Sequence, residues 1–185
     1  MEEEVETKTN QIRHALQLLK HKLKNGDNSD LLHWVIPDRL ACSQRPLRHD
    51  PLYGGSGKNI APEAAPLLRD WMVLMQYLGI KSIISLMHAR DLSYYAKLDL
   101  GAENLIRFYE NSGFKVAHLP WEDPAHSGTP PTLVRKKLLS IRVDALREYD
   151  RLPKPVLIQC SAGIDRTAPV AAYIFSNRHG EQLDN

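Results

Sequence analysis

A thiol, a glycine and an arginine share one eight-residue run near the C-terminus: Cys160-Ser161-Ala162-Gly163-Ile164-Asp165-Arg166-Thr167. The run follows the short apolar segment Pro155 to Ile158 and opens a stretch of helical character. That order puts the thiol at the end of a buried strand, a residue free to turn three positions later, and a cation in the first helical turn. Backbone N–H groups in such a turn point inward and, with the helix dipole, make a nest for an anion. The same field favours a thiolate over a thiol. Nucleophile and phosphate-sized cradle thus come from one loop, and the chemistry to expect is attack on a phosphate ester. Taken singly, a Cys at a strand end is usually a small buried hydrophobe, and an Arg six residues on is surface charge. The spacing, the Gly and the Arg-Thr pair together carry the reading.

Cys160 to Thr167 resembles the phosphate-binding loop of the cysteine-based protein tyrosine and dual-specificity phosphatases, Cys-x-x-Gly-x-x-Arg-Ser/Thr. Arsenate reductases and low-molecular-weight phosphatases share the Cys-to-Arg spacing but carry it near the N-terminus. Upstream, Trp34-Val-Ile-Pro-Asp-Arg-Leu-Ala41 is similar to the first strands of dual-specificity phosphatases. Gly79 to Leu86 looks like their next core strand. His118-Leu-Pro-Trp-Glu-Asp123 looks like the strand and loop that deliver a general acid, Trp-Pro-Asp in the tyrosine phosphatases. In order and spacing the resemblance runs from about residue 33 to 180.

The resemblance implies a phosphoric monoester hydrolase working through a cysteinyl-phosphate. Cys160 attacks phosphorus, dividing one difficult displacement into two steps. Arg166 clamps two phosphate oxygens with its planar fork. The backbone N–H groups of Ser161, Ala162, Gly163, Ile164, Asp165 and Arg166 take the remaining charge, and Thr167 hydrogen-bonds the Cys160 sulfur. Asp123 is the expected general acid, with Glu122 as its substitute if the loop is offset; the competing reading is that Asp123 caps a turn before Pro124. His126 follows on the same loop and is a candidate substrate contact. Expected substrates are proteins phosphorylated on tyrosine, serine or threonine, or small phosphoesters, with vanadate or phosphate as inhibitors. A phosphoinositide or RNA 5′-phosphate substrate, or a catalytically weak phosphate-binding module, are the alternatives. No cofactor and no metal are required, since the histidines are scattered and neither cysteine belongs to a Cys-x-x-Cys pair.

Three positions depart from the family pattern. Gln159 precedes the nucleophile where most members carry His; Gln donates hydrogen bonds but not charge, which predicts a less activated thiol. Asp165 puts an acid in the loop, as in some inositide phosphatases, and reads best as a helix-start charge. The Lys found in many lipid phosphatases is missing. Cys42 is either an inert buried thiol or a disulfide partner protecting Cys160 from overoxidation. Arg45 and Arg90 either line the site or pair on the surface.

The elements that must position these residues are legible in outline. Ile12, Ala15, Leu16, Leu19 and Leu23 recur at helical spacing up to Asn25-Gly26. Residues 1–30 therefore read as an amphipathic helical extension packed on the domain, and residues 31–185 as one catalytic domain. Val35-Ile36 and Leu40-Ala41 are short strands around a Pro-Asp turn. Tyr53-Gly-Gly-Ser-Gly-Lys58 lacks the spacing of a nucleotide-binding loop and is expected to be a flexible loop near the site. Pro62 to Leu78 is a helix with Leu67, Leu68, Trp71, Met72, Met75 and Leu78 as core. Ile83–Leu86 and Val116–Leu119 are buried strands, with one polar helical stretch from about Asp91 to Glu110 between them. Leu133–Tyr149 is a long helix. Strands alternating with helices imply an α/β fold with a central, mainly parallel twisted sheet flanked by helices.

Composition excludes several classes. At 185 residues, 43% hydrophobic and with formal charge +2, the chain suits one ordinary core and gives no general footprint for nucleic acid or an anionic membrane. The basic run Arg135-Lys136-Lys137 reads as a solvated helix face. Two cysteines imply no disulfide framework, and no run reaches membrane-spanning length. A soluble cytoplasmic protein without an integral membrane segment is the expectation.

Overall fold

The computed structural model describes residues 1–180. Its strands are β1 (His33–Ile36), β2 (Leu40–Gln44), β3 (Ser82–Ser85), β4 (Lys115–His118) and β5 (Val156–Cys160). Its helices are α1 (Glu2–Lys24), α2 (Ala65–Tyr77), α3 (Ala89–Ser93), α4 (Leu105–Asn111), α5 (Pro131–Arg151) and α6 (Thr167–Arg178), with one turn of 3-10 helix at Pro62–Ala64 before α2. The strands form a single sheet in the order β1-β2-β5-β3-β4. All pairings are parallel except β1 with β2, which form an antiparallel hairpin. The protein is thus an α/β fold with a mostly parallel five-stranded sheet flanked by helices.

Every residue of β2, β3 and β5 is buried, as expected for a sheet covered on both faces. Alternation along β5 sends Val156, Ile158 and Cys160 into the apolar cluster under α1, α5 and α6, and Leu157 into the opposite cluster under α2 and α4. Helix α1 buries Val5, Thr9, Ile12, Leu16, Leu19 and Leu23 in one stripe. Alternating steps of four and three residues keep that stripe on one side of the helix. Glu2, Glu3 and Glu4 in the first turn and His21, Lys22 and Lys24 in the last complement its dipole.

Three expectations need correction. The strand expected at Val116–Leu119 is the edge strand β4, and of its residues only Ala117 is buried. The stretch from Asp91 to Glu110 is not one helix but α3 and α4 with turns between them. Gly101 sits at φ +62° with its N–H on Asp99 Oδ1, and Asn104 Oδ1 caps α4 by accepting from Arg107 N at 3.0 Å. Asp, Gly and Asn offer the backbone these local alternatives, so the helix has to restart. Leu67 on α2 and Leu78 just past its end are each 38% exposed instead of core, while Leu68, Trp71, Met72 and Met75 are buried. Among the described residues, no helix is long and apolar enough to cross a membrane.

Candidate active site

Parallel pairing aligns the strand ends. Gln44 of β2 lies opposite Cys160, and Ser85 of β3 lies opposite both Gln159 of β5 and His118 of β4. The segments leaving β2, β3, β4 and β5 therefore emerge together at the carboxyl edge of the sheet, where open α/β sheets gather their binding groups. Those segments carry Arg45, Asp91, Asp123 and the Cys160–Thr167 loop.

The loop turns at Gly163, which has φ +80°. A Cβ there would lie 2.7 Å from the backbone N of Gln44 and from C and O of Ser43, so the loop packs directly on the end of β2 and only Gly fits. Arg45 N donates to Ser161 O at 2.9 Å, continuing the β2–β5 contact into the loop. Among the described residues, none of the N–H groups of Ser161 to Arg166 donates to a protein acceptor. Six consecutive donors are thus available at the start of α6, beside the Cys160 thiol. Cys160 directly precedes the cleft-lining Ser161 and is itself only 2% exposed. Thr167 is fully buried, and its hydroxyl has no hydrogen-bond partner among the described residues, so the expected bond to the Cys160 sulfur is not formed.

Arg166 is 1% exposed. Its Nη1 donates to Asp91 Oδ2 at 2.7 Å and to the backbone O of Trp121 at 2.7 Å. Both bonds leave from one nitrogen, and Nε and Nη2 donate to no protein acceptor among the described residues, so the fork keeps donors for an oxyanion. Burial works against the Arg166 charge. The Asp91 hydrogen bond, then the electrostatic attraction of Cys160, Asp91 and Asp123, outweigh it and hold the guanidinium above its ordinary pKa. Asp91 is fixed in turn: its Oδ2 accepts from His88 N at 2.9 Å, closing a capping box at the start of α3.

The Trp121–Asp123 segment is tied to the same arginine through the Trp121 carbonyl, and the Trp121 side chain is buried. A cleft of about 390 Å³ opens between the loops, lined by Asp123, Glu122 and His126 on one side, His88, Arg90, Asp91 and Tyr94 on another, and Ser56, Gly57 and Ser161. Asp123, Glu122, His126, Arg90 and the glycine-rich loop are thus brought to one place. Asp123 Oδ1 also accepts from Ala125 N at 3.0 Å, so the turn-capping role is filled by the same carboxylate. Its second oxygen has no protein partner among the described residues.

Other residues fall elsewhere. Gln159 does not support the thiol. Strand alternation turns it to the opposite face, where its Oε1 accepts from Tyr109 OH at 2.6 Å; burial pushes the Tyr109 phenol well above its ordinary pKa. Asp165 is exposed and makes no ion pair with any described residue. Cys42 lies on the same sheet face as Cys160 but two residues further down the neighbouring strand. Strand spacing puts their Cα atoms about 8 Å apart, beyond disulfide reach without backbone movement. Both thiols are free, and burial, then the neighbouring Cys160, keeps Cys42 protonated. Arg45, expected at the surface or in the site, is fully buried against Ser161. Asp91 is the functional residue that sequence reasoning missed. Its one local signal was the spacing from His88, which marks a helix start.

No protein-family model matches the chain, and no curated protein matches it significantly.

Proposed function

We propose that this protein is a cysteine-dependent phosphatase with a protein tyrosine and dual-specificity phosphatase-like fold, hydrolysing phosphate monoesters of phosphorylated proteins. The observation that carries this reading is the run of six N–H groups from Ser161 to Arg166 that find no protein acceptor among the described residues, together with Nε and Nη2 of Arg166, which find none there either. A tetrahedral dianion matches that donor set in charge and in number of acceptors.

In the first step the Cys160 thiolate attacks phosphorus; the S–P bond forms as the P–O bond to the leaving group breaks, and Asp123 gives the leaving oxygen its proton. In the second step water attacks phosphorus, Asp123 takes the water proton, and the S–P bond breaks to release phosphate and regenerate the thiolate. Arg166 and the loop amides hold the three equatorial oxygens through both steps. Asp91 and the Trp121 carbonyl keep the guanidinium aimed.

Turnover of para-nitrophenyl phosphate that vanadate inhibits, and that Cys160→Ser abolishes while phosphate binding persists, is the expected result. A Cys160→Ser protein that turns over as fast as the parent would overturn the proposal. Phosphate binding without turnover in the parent would leave a phosphate-recognition module. Phosphotyrosine and phosphothreonine peptides, inositides and triphosphorylated RNA, assayed side by side, assign the substrate class.

A further inference from the structure

Arg45 is 1% exposed, and no carboxylate among the described residues lies within ion-pair distance of it. All its hydrogen-bond partners among the described residues are neutral. Its backbone N–H donates to Ser161 O at 2.9 Å and its Nε to Ser161 Oγ at 3.2 Å. Nη1 reaches Tyr95 OH at 3.3 Å and Nη2 the Gly55 carbonyl at 3.4 Å. The guanidinium carbon lies 4.9 Å from the centre of the Tyr94 ring and 5.5 Å from that of Tyr95.

Arg48, bonded through its N–H to Arg45 O at 3.2 Å, adds to the excess. Its Nε is buried without a partner among the described residues, and burial, then the charge of Arg45, lowers its pKa. Asp91, the acid whose charge reaches Arg48, is already held by Arg166. A buried cation without a counter-charge is costly, and here it sits against a residue of the phosphate loop.

Building on the phosphate-loop reading above, we propose that Arg45 is a positioning residue that grips Ser161 from two sides and supplies a buried positive charge balanced by the bound phosphoryl group. It acts through Ser161 and through its field, not by touching the anion. This role accounts for the missing acid: a carboxylate beside Arg45 would cancel the field where the substrate needs it.

The test uses the Cys160→Ser protein, inorganic phosphate as the probe and titration calorimetry as the readout. Arg45→Met is expected to weaken phosphate binding by about tenfold or more, the order for a unit charge roughly 10 Å from the anion in a partly screened interior. Arg45→Lys, which keeps the charge and loses the fork, should recover most of that affinity. In the Cys160 background Arg45→Lys should hold KM near the parent while kcat falls, because Ser161 has lost its second grip. If Arg45→Met does not fold, Arg45→Gln is read in its place, with the same loss expected. A folded Met or Gln variant that binds phosphate within twofold of its parent would overturn the proposal and leave the phosphatase reading standing. A Cys160→Ser parent that binds no phosphate would remove the loop reading and this one together.

Discussion

Asp91 and Arg166 stand 75 positions apart in the chain and 2.7 Å apart in space, both almost wholly buried. Removing one partner of a buried ion pair leaves the other charge unpaired, at a cost of about 3–5 kcal/mol. Asp91→Ala is therefore expected to lower the urea midpoint strongly. Asp91→Asn, which keeps the shape and one acceptor, should lose less stability yet still lower kcat/KM, because Arg166 is aimed less firmly. Equal unfolding midpoints for Asp91→Ala and the parent would contradict the pairing.

Asp123 faces the cleft with one carboxylate oxygen that no described residue contacts by a hydrogen bond. Asp123→Asn should reduce kcat by roughly 10²–10⁴-fold on an alkyl phosphate, whose leaving oxygen needs a proton. The loss should be much smaller on an aryl phosphate with a good leaving group. Steady-state kinetics on the two substrates gives the ratio, and an equal loss on both would point to Asp123 as a turn cap alone.

Gly163 combines φ +80° with a 2.7 Å approach to the backbone of Ser43 and Gln44. Gly163→Ala meets both penalties, since the backbone neighbours cannot rotate away. A destabilisation of about 2 kcal/mol or more is expected, together with loss of phosphate binding as the loop is forced off β2. Chemical denaturation and phosphate titration of the same protein measure the two effects.

His49 packs behind the loop, 3.4 Å from the Ala162 carbonyl, and is nearly inaccessible. Burial, then the charge of Arg48, lowers its pKa from an ordinary 6.5 to about 4. The unfolded chain therefore takes up this proton first, and folding favours the neutral ring. The contribution is complete above about pH 6.5 and is lost as pH falls toward about 4. His49→Gln should flatten the stability profile in that window and leave it unchanged at higher pH. Thermal unfolding between pH 4 and 8 is the measurement.

What the sequence made legible is what periodicity and local spacing can encode. The buried stripe of α1, the alternation of strands and helices, and the Cys160–Thr167 loop all lie within short windows. The contacts that make a site of the loop are remote: Arg166 with Asp91 at a separation of 75, and Ser161 with Arg45 at 116. Such pairs are set by which strands become neighbours, and β5 enters between β2 and β3 only after four other strands have been made. Gln159 illustrates the difference. Its place beside the nucleophile in sequence suggested a catalytic neighbour, yet the two-residue period of the strand turns it away from Cys160. Asp91 stayed hidden because a capping residue at a helix start looks complete without a second role.

The central position of β5 has a mechanical consequence. It is hydrogen-bonded on both sides, so its amides are expected to exchange slowly with solvent, whereas Ser56 and Asp123 ride on segments outside the ladder. Mild denaturant should then disengage Asp123, the proposed proton donor, while the Cys160 sulfur stays anchored, so the proposed phosphatase activity is expected to fade before the thiol becomes open to alkylation.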